Sequence, residues 1–176
     1  ENIMQAAFYR IIVDGTVGTL KSEEVIDEFP VFTIRDGYGV PFSDVDVPAF
    51  FVEKDPGSDY YAAIKYNSTA AETKDRIQVS HYGPDHVLIN RSNYTTPTDK
   101  YKYTVPLSIY VHSGEYVLLS SLSFNTKKSG GEETRFYTAK LSSGDKKFVQ
   151  KELQFTEFTK SARCYFVPNK AKETIL

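Results

Sequence analysis

The clearest pattern in the chain is the alternation of apolar and polar residues in YKYTVPLSIYV, residues 101–111. Every second position is apolar: Tyr101, Tyr103, Val105, Leu107, Ile109 and Val111. Because successive side chains of a strand point to opposite faces, this spacing predicts a strand with one apolar face. Pro106 has no N–H to give to a central ladder, so it predicts an edge position or a bulge in that strand.

A second strand is predicted at YVLLSSLSF, residues 116–124, directly after the turn signal HSGE. The two segments would form an antiparallel hairpin. If residues 112–115 form the whole loop, three pairs face each other across it: Ile109 and Leu118, Val105 and Leu122, and Tyr103 and Phe124. A slip of one residue would turn the apolar set of one strand to solvent, so we expect a firmly held register.

Further strands are predicted wherever β-branched and aromatic residues run between turn clusters such as DGTVG and KDPGSD. These runs cover residues 8–13, 31–34, 47–53, 60–66, 76–80, 86–89, 134–141, 148–155 and 163–167. No internal repeat or linker divides the chain. We therefore predict a single domain spanning residues 1–176.

Helix signals are few. SEEVIDEF, residues 22–29, begins with a serine cap, carries acids in its first turn and stops at Pro30, so about two helical turns are predicted there. Residues 61–77 allow a helix in their second half. The apolar positions in residues 146–162 fit both a helix and a strand, and we interpret this segment as a strand. The predicted fold is mainly β, with antiparallel sheets and one or two short helices.

Composition narrows the class of protein. A chain of 176 residues with 40% hydrophobic and 25% charged residues is typical of one globular domain. The net charge of −2 argues against a nucleic-acid partner, and the longest apolar run, 116–124, is too short to span a bilayer, so we expect no membrane insertion. The lone Cys164 excludes an intramolecular disulfide, and we expect it to be buried. The chain reads as a piece excised from a longer protein.

Motifs for catalysis or metal binding are missing from the sequence. His81, His86 and His112 have no cysteine partners and no HExxH spacing, and Asp44 and Asp46 read as a solvated strand edge. The sequence has no GxSxG elbow, no P-loop and no dinucleotide fingerprint. We therefore expect no cofactor, no metal and no enzymatic activity.

Binding chemistry is concentrated in HYGPDHVLINRSNY, residues 81–94. Sugars offer apolar C–H faces that stack on aromatic rings, and hydroxyl groups that pair with planar polar side chains. The candidate contacts are Tyr82, His86, Arg91, Asn93 and Tyr94, with Arg35 and Tyr38 of the loop RDGYGVPF behind them. The alternative is a plain surface loop. Three Asn-x-Ser/Thr triplets begin at Asn67, Asn90 and Asn93, and we expect them to carry no glycan.

Two segments resemble a known family. LQFTEFTKSARCYFVPNKAKE, residues 153–173, resembles the last strand of the glycan-binding head of the rotavirus outer-capsid spike, where a Ser-x-x-x-Tyr-aliphatic-aliphatic-Pro segment closes the domain. FYRIIVDGTVGTL, residues 8–20, is similar to an aromatic-led strand and turn near the start of that head. The tryptophans common in the group A head are missing, so the resemblance is to a divergent, group B-like type.

The resemblance implies either a galectin-like two-sheet sandwich or a sheet clasping a helix, the helix coming from residues 61–77 or 146–162. It implies a viral protein on the virion surface that attaches to galactose- or N-acetyllactosamine-containing glycans of the host cell, with the rest of the spike as its other partner. No binding residue carries over from it.

Two other classes of function stay open. A structural or adhesive module, such as a pilus subunit or capsid protrusion, would leave a long apolar strand groove for a donor strand. An enzyme with an unrecognised carboxylate pair would place two acids in its deepest pocket, one with a raised pKa.

Overall fold

The computed structural model describes residues 2–30, 32–34, 49–68, 70, 73–98, 100–129, 131, 133–154, 164–169 and 174–175. Its strands are β1 (Asn2–Met4), β2 (Ala7–Val13), β3 (Leu20–Glu28), β4 (Phe32–Ile34), β5 (Ala49–Lys54), β6 (Tyr61–Tyr66), β7 (Ile77–Tyr82), β8 (Leu88–Tyr94), β9 (Tyr103–His112), β10 (Tyr116–Phe124), β11 (Thr134–Ser142), β12 (Val149–Leu153), β13 (Pro168–Asn169) and β14 (Thr174–Ile175). The mainly β prediction is confirmed.

Two four-stranded antiparallel sheets form the body of the fold. Sheet I has the order β5-β6-β7-β8, and sheet II has the order β12-β11-β10-β9. Three antiparallel pairs complete the described part, β1 with β4, β2 with β3, and β13 with β14. Sequential strands are neighbours throughout both sheets, as short hairpin connections require.

The core lies between the two sheets. Apolar side chains from alternate positions of each sheet form one buried cluster: Ala62, Ile64, Tyr66, Ile77, Val79 and Tyr94 from sheet I, and Val111, Val117, Leu119, Tyr137 and Ala139 from sheet II. Full burial of one such aliphatic side chain contributes about 1.5–3 kcal/mol. This shared cluster makes sheets I and II two layers of one packed unit.

The β9–β10 hairpin corrects part of the predicted register. Val105 opposes Leu122 and Tyr103 opposes Phe124, as predicted, but Ile109 opposes Leu119 rather than Leu118. The register shifts between Ser120 and Ser121, where Pro106 lies opposite Ser121. Pro106 predicted an edge position or a bulge, and both are found, because β9 is an edge strand of sheet II and its register shifts at Pro106. The turn between β9 and β10 has three residues, one fewer than predicted.

The predicted helix at residues 22–29 is wrong, because these residues lie in strand β3. The chain turns at Asp14–Val17, and Asp14 Oδ1 accepts from Thr16 N at 2.8 Å, which returns the following segment alongside β2. Tyr9 then pairs with Val25 and Arg10 with Glu24. Pairing with an adjacent strand outweighs the weak helical preference of SEEVIDEF.

Other predicted boundaries also move. Residues 61–66 form β6, and the only helical turns among the described residues are two 3₁₀ turns, Thr73–Asp75 and Lys127–Ser129. Strand β12 confirms the strand interpretation for 149–153, while residues 155–163 lie outside the described ranges. The strand predicted at 86–89 is β8, which begins at Leu88 and ends at Tyr94. Of the strand predicted at 163–167, residues 164–167 are irregular, and Cys164 is half-buried rather than buried.

The β2–β3 hairpin packs one face against sheet I. Phe8 and Phe29 contact the ring of Phe50, with centroids 5.5 and 4.9 Å away, and Lys65 Nζ pairs with Asp27 Oδ1 at 2.6 Å. The other face is open to solvent and strongly apolar. Its exposed side chains are Tyr9, Ile11, Val13, Leu20 and Val25.

Candidate functional site

The outer face of sheet I gathers polar and aromatic side chains from three strands. Tyr61 of β6 pairs with Tyr82 of β7, and Ser80 of β7 pairs with Arg91 of β8. Their neighbours Ala62 and Val79 point into the core, so the alternation of strand side chains turns these residues outward. The tertiary pairing thus brings together residues that are 30 positions apart in the chain.

Tyr61, Tyr82, His86 and Arg91 form what we call the aromatic–arginine cluster. The rings of Tyr61 and Tyr82 stack with centroids 5.0 Å apart and an angle of 13° between their planes. The imidazole of His86 meets the Tyr61 ring edge-on at 5.7 Å, and its Nδ1 lies 3.2 Å from Tyr61 Oη. The cluster therefore presents rings in two orientations beside each other.

Arg91 is held in place by two hydrogen bonds. Its Nε donates to Ser80 Oγ at 2.9 Å, and Nη2 donates to Tyr82 Oη at 3.3 Å. The residue is exposed, and its remaining N–H donors have no partner in the described ranges. An oriented guanidinium with unused donors at a surface is suited to hydroxyl or anionic ligands.

His86 is placed by a tight turn between β7 and β8. His86 N donates to Gly83 O at 2.9 Å, which closes a β-turn with Pro84 at its second position. His86 itself has a φ of 65°, in the left-handed region that favours glycine. Arg10 Nη1 of the β2–β3 hairpin donates to His86 O at 3.3 Å and steadies the turn. A non-glycine residue in this conformation often marks a functional position.

The hydroxyl group of Tyr61 stays protonated at neutral pH. Burial raises its pKa above the ordinary value of 10.0, and the Arg10 guanidinium opposes this increase only in part. Tyr61 Oη thus carries a proton as well as lone pairs, and its present neighbours are His86 Nδ1 and Arg10.

The structure brings together three of the predicted contacts, Tyr82, His86 and Arg91. Tyr82 is only 4% exposed, so it lies beneath the other members of the cluster and supports them. Asn93 lies two residues further along β8, where its Oδ1 accepts from Gln78 Nε2 at 2.9 Å. Arg35 and Tyr38 lie outside the described residues.

Tyr94 does not reach the surface. It is 1% exposed, packs in the core against Phe148, and its Oη accepts from Ser121 Oγ of sheet II at 3.0 Å. Burial raises its pKa to about 12. The prediction of a ligand contact at Tyr94 is corrected, because the strand alternation that exposes Arg91 and Asn93 turns Tyr94 inward.

Tyr61 is the member of the cluster that sequence reasoning missed. The run YYAAIKY marks a strand, but nothing local shows that Tyr61 stacks on Tyr82.

A second ring cluster on β9 and β10 was also missed. His112 stacks on Tyr116 with centroids 4.7 Å apart, and Lys140 Nζ lies 4.2 Å from the centre of the Tyr116 ring. The sequence HSGEY could have indicated this contact, because His112 and Tyr116 flank a short turn and such residues face each other across a hairpin.

The three histidines occupy separate environments. His81 is buried between the sheets, His86 is in the aromatic–arginine cluster, and His112 stacks on Tyr116. Among the described residues, no group of three or more His, Cys, Asp or Glu side chains is arranged to hold a metal ion. Nor does any helix in the described ranges combine the length and apolar character needed to cross a membrane.

A comparison of the chain with protein-family models, with curated proteins and with solved structures finds no match. The functional argument therefore depends on the geometry and chemistry of the residues themselves.

Proposed function

We propose that this protein is a non-catalytic carbohydrate-binding domain. The observation that carries the proposal is the aromatic–arginine cluster on the outer face of sheet I, in which Tyr61 contacts His86 and Tyr82 links Tyr61 to the unused donors of Arg91. Aromatic rings and planar polar groups next to each other are the chemistry that sugars require.

Galactose-containing glycans, including N-acetyllactosamine, suit this arrangement. The axial hydroxyl of galactose leaves one side of the ring with neighbouring C–H groups, which stack on an aromatic face. Arg91 would donate to the sugar hydroxyls, and Tyr61 Oη would donate or accept beside them. Tyr82 would hold Arg91 and Tyr61 in their relative positions, because it contacts both.

The biological setting that we propose is attachment of a virus to its host cell. It rests on the resemblance of residues 8–20 and 153–173 to the glycan-binding head of the rotavirus spike. The domain would then lie on the outer capsid of the virion and bind cell-surface glycans. A shallow surface cluster gives weak monovalent binding, which many copies on one particle would strengthen.

Two structural features weigh against the other classes of function. The described carboxyl groups whose pKa departs from its ordinary value, Asp14, Asp55, Asp59 and Glu133, all have a lowered pKa, whereas a general acid needs a raised one. Of the large apolar side chains exposed in the described ranges, half lie on the β2–β3 hairpin. Those on edge strands of sheets I and II, Phe51, Val52, Leu88 and Val149, are spread over three strands instead of forming the continuous row that a donor strand would cover.

The proposal is tested by titrating N-acetyllactosamine into the isotopically labelled protein and following amide resonances by NMR. We expect perturbed resonances at β6, the β7–β8 turn and β8. Arg91→Ala should weaken binding at least about tenfold, because it removes charge-assisted donors. His86→Gly should also weaken binding while the fold persists, because glycine adopts a φ of 65° without strain.

Arg135→Ala is the matched control. Arg135 is a partly exposed arginine of β11 that pairs with Glu133 and Glu152, away from the cluster, so its removal should leave the affinity unchanged. The proposed function fails if no galactose-terminated glycan on an array binds, or if Arg91→Ala and His86→Gly both bind like the wild type.

A further inference from the structure

A cavity of about 500 Å³ is lined by residues of β8 and β12, which are edge strands of sheets I and II. Its lining combines cationic and neutral polar side chains with one aromatic ring: Lys74, Ser92, Asn93, Thr95, Lys146, Lys147, Phe148 and Gln150. Small-ligand sites have volumes of roughly 300–1,000 Å³, so this cavity could accommodate one or two sugar units.

The charge of the cavity is opposite to that of the whole chain. Among the described residues that line it, three are lysines and none is acidic, although the protein has a net charge of −2. Three lysines elsewhere form ion pairs: Lys21 pairs with Asp14, Lys54 with Asp59 and Lys65 with Asp27. Lys146 and Lys147, by contrast, form no ion pair with any described residue. Their neighbouring charges make the potential at this place positive, which attracts an anion.

The segment that carries Lys146 and Lys147 is held by hydrogen bonds from β8. Ser92 Oγ donates to Lys146 O at 3.0 Å, and Asn90 Nδ2 donates to Asp145 O at 2.8 Å, which anchors the turn before β12 to β8. Phe148 meets the ring of Tyr94 edge-on at 5.6 Å, so the aromatic wall of the cavity is anchored in the core. The backbone at this site is therefore preorganised.

Gln150 adds an independent observation that points to a hydrogen-bonding ligand. Its side-chain Oε1 is buried and has no hydrogen-bond partner in the described part of the chain. An unpartnered buried acceptor costs stability unless a donor reaches it. An inorganic anion has no donor to offer to Gln150 Oε1, whereas the hydroxyl group of a sugar has one.

We propose that this cavity binds a sulfated oligosaccharide. Lysine is a compact point charge on a flexible stem and contacts a tetrahedral sulfate from several directions. A planar carboxylate is matched best by the fork of arginine, which is absent from the described lining residues. The neutral side chains of Ser92, Asn93, Thr95 and Gln150 face the hydroxyl groups of the sugar ring. This site uses none of the aromatic–arginine cluster and does not depend on the function proposed for it.

The test is calorimetric titration of the full chain with a heparin-derived tetrasaccharide. We expect saturable binding that weakens more than about tenfold between 50 and 500 mM NaCl, because salt screens the exposed lysines. The double variant Lys146→Gln/Lys147→Gln should weaken binding about tenfold or more, and adding Lys74→Gln should weaken it further.

Lys21→Gln/Lys54→Gln is the matched control, because it removes the same charge from exposed lysines outside the cavity. It should bind the tetrasaccharide like the wild type, and so should Arg91→Ala, which separates this site from the aromatic–arginine cluster. The proposal is overturned if both double variants lose affinity equally, if the desulfated tetrasaccharide or sialyllactose binds as tightly, or if inorganic sulfate of equal concentration binds as well as the sugar.

Discussion

His81 is a titratable side chain enclosed between the two sheets. It is 1% exposed, and its Nε2 lies 2.8 Å from Ser113 O, a carbonyl that can only accept. Nε2 therefore carries the proton of the neutral ring, and Nδ1 is buried without a partner among the described residues. Burial lowers the pKa of His81 below its ordinary value of 6.5, although the bond to Ser113 opposes that change.

We predict that acid destabilises the protein through His81. Because the pKa is lower in the folded state, the unfolded chain takes up the proton first, and the free energy of unfolding decreases as the pH falls below about 6.5. Urea unfolding between pH 7.5 and 5.0 measures this decrease. His81→Gln retains a donor for Ser113 O but cannot titrate, so its pH dependence should be flatter in this window.

The contribution of Asp55 to the free energy of unfolding changes at lower pH than that of His81, so it does not interfere with the measurement between pH 7.5 and 5.0. Burial alone would raise the pKa of Asp55, but bonds from Ser58, Gly57 and Ser113 outweigh it and lower the pKa below 3.8, so this contribution is lost only as the pH falls below about 4. Equal slopes for the wild type and His81→Gln between pH 7.5 and 5.0 would contradict the assignment.

At the scale of elements, the same residue type has opposite environments in two hairpins. Ile77 begins β7, is 0% exposed and belongs to the core cluster, whereas Ile11 of β2 is 58% exposed on the open face of the β2–β3 hairpin. Ile77 alternates with polar residues in RIQVS and Ile11 lies in the apolar run IIV, and both sequences are typical of strands. What differs is whether another element covers that face.

We predict that Ile77→Val lowers the free energy of unfolding by about 1 kcal/mol, because it removes a buried methyl group and leaves a small cavity. Ile11→Val retains the β-branched shape and should change stability by less than about 0.5 kcal/mol. Chemical denaturation of the two variants in parallel measures the difference. Equal costs would mean that the outer face of the hairpin is covered in solution.

At the scale of the whole molecule, a few polar groups of β8 tie sheet I to the β11–β12 connection of sheet II. Asn90 Nδ2 donates to Ser142 O at 2.7 Å and to Asp145 O at 2.8 Å, and Ser92 Oγ donates to Lys146 O. A glycan would be attached at the same Asn90 nitrogen. Its two bonds therefore support the expectation that this triplet carries no sugar, and they fix one wall of the lysine-lined cavity.

We predict that Asn90→Asp lowers the free energy of unfolding by about 3 kcal/mol, because it replaces two donated bonds with a carboxylate facing two carbonyl oxygens. The same change at the exposed Asn93 preserves the acceptor for Gln78 Nε2 and should cost less than about 0.5 kcal/mol. Thermal or urea unfolding of both variants measures the contrast. If Asn90→Asp is as stable as Asn93→Asp, these bonds do not join the sheets.

The sequence by itself determined the class of fold and most strand positions, because alternation and turn residues are local properties. It placed β9 and β10 and the bulge at Pro106, and it singled out Tyr82, His86 and Arg91, which lie in and beside one tight hairpin. It failed at residues 22–29, where the helical preference of single residues is weaker than pairing with β2.

The tertiary structure alone decided which side chains reach the surface and which distant ones meet. Tyr61 joins Tyr82 only through the β6–β7 register, Tyr94 is turned into the core by a one-residue alternation, and Lys74 meets Lys146 and Lys147 only at the cavity lined by residues of β8 and β12. Local patterns fix the backbone conformation of each segment. Spacing predicts the register of neighbouring strands joined by a short turn, as in β9 and β10, but not which side chains of the two sheets meet, because that depends on long-range packing.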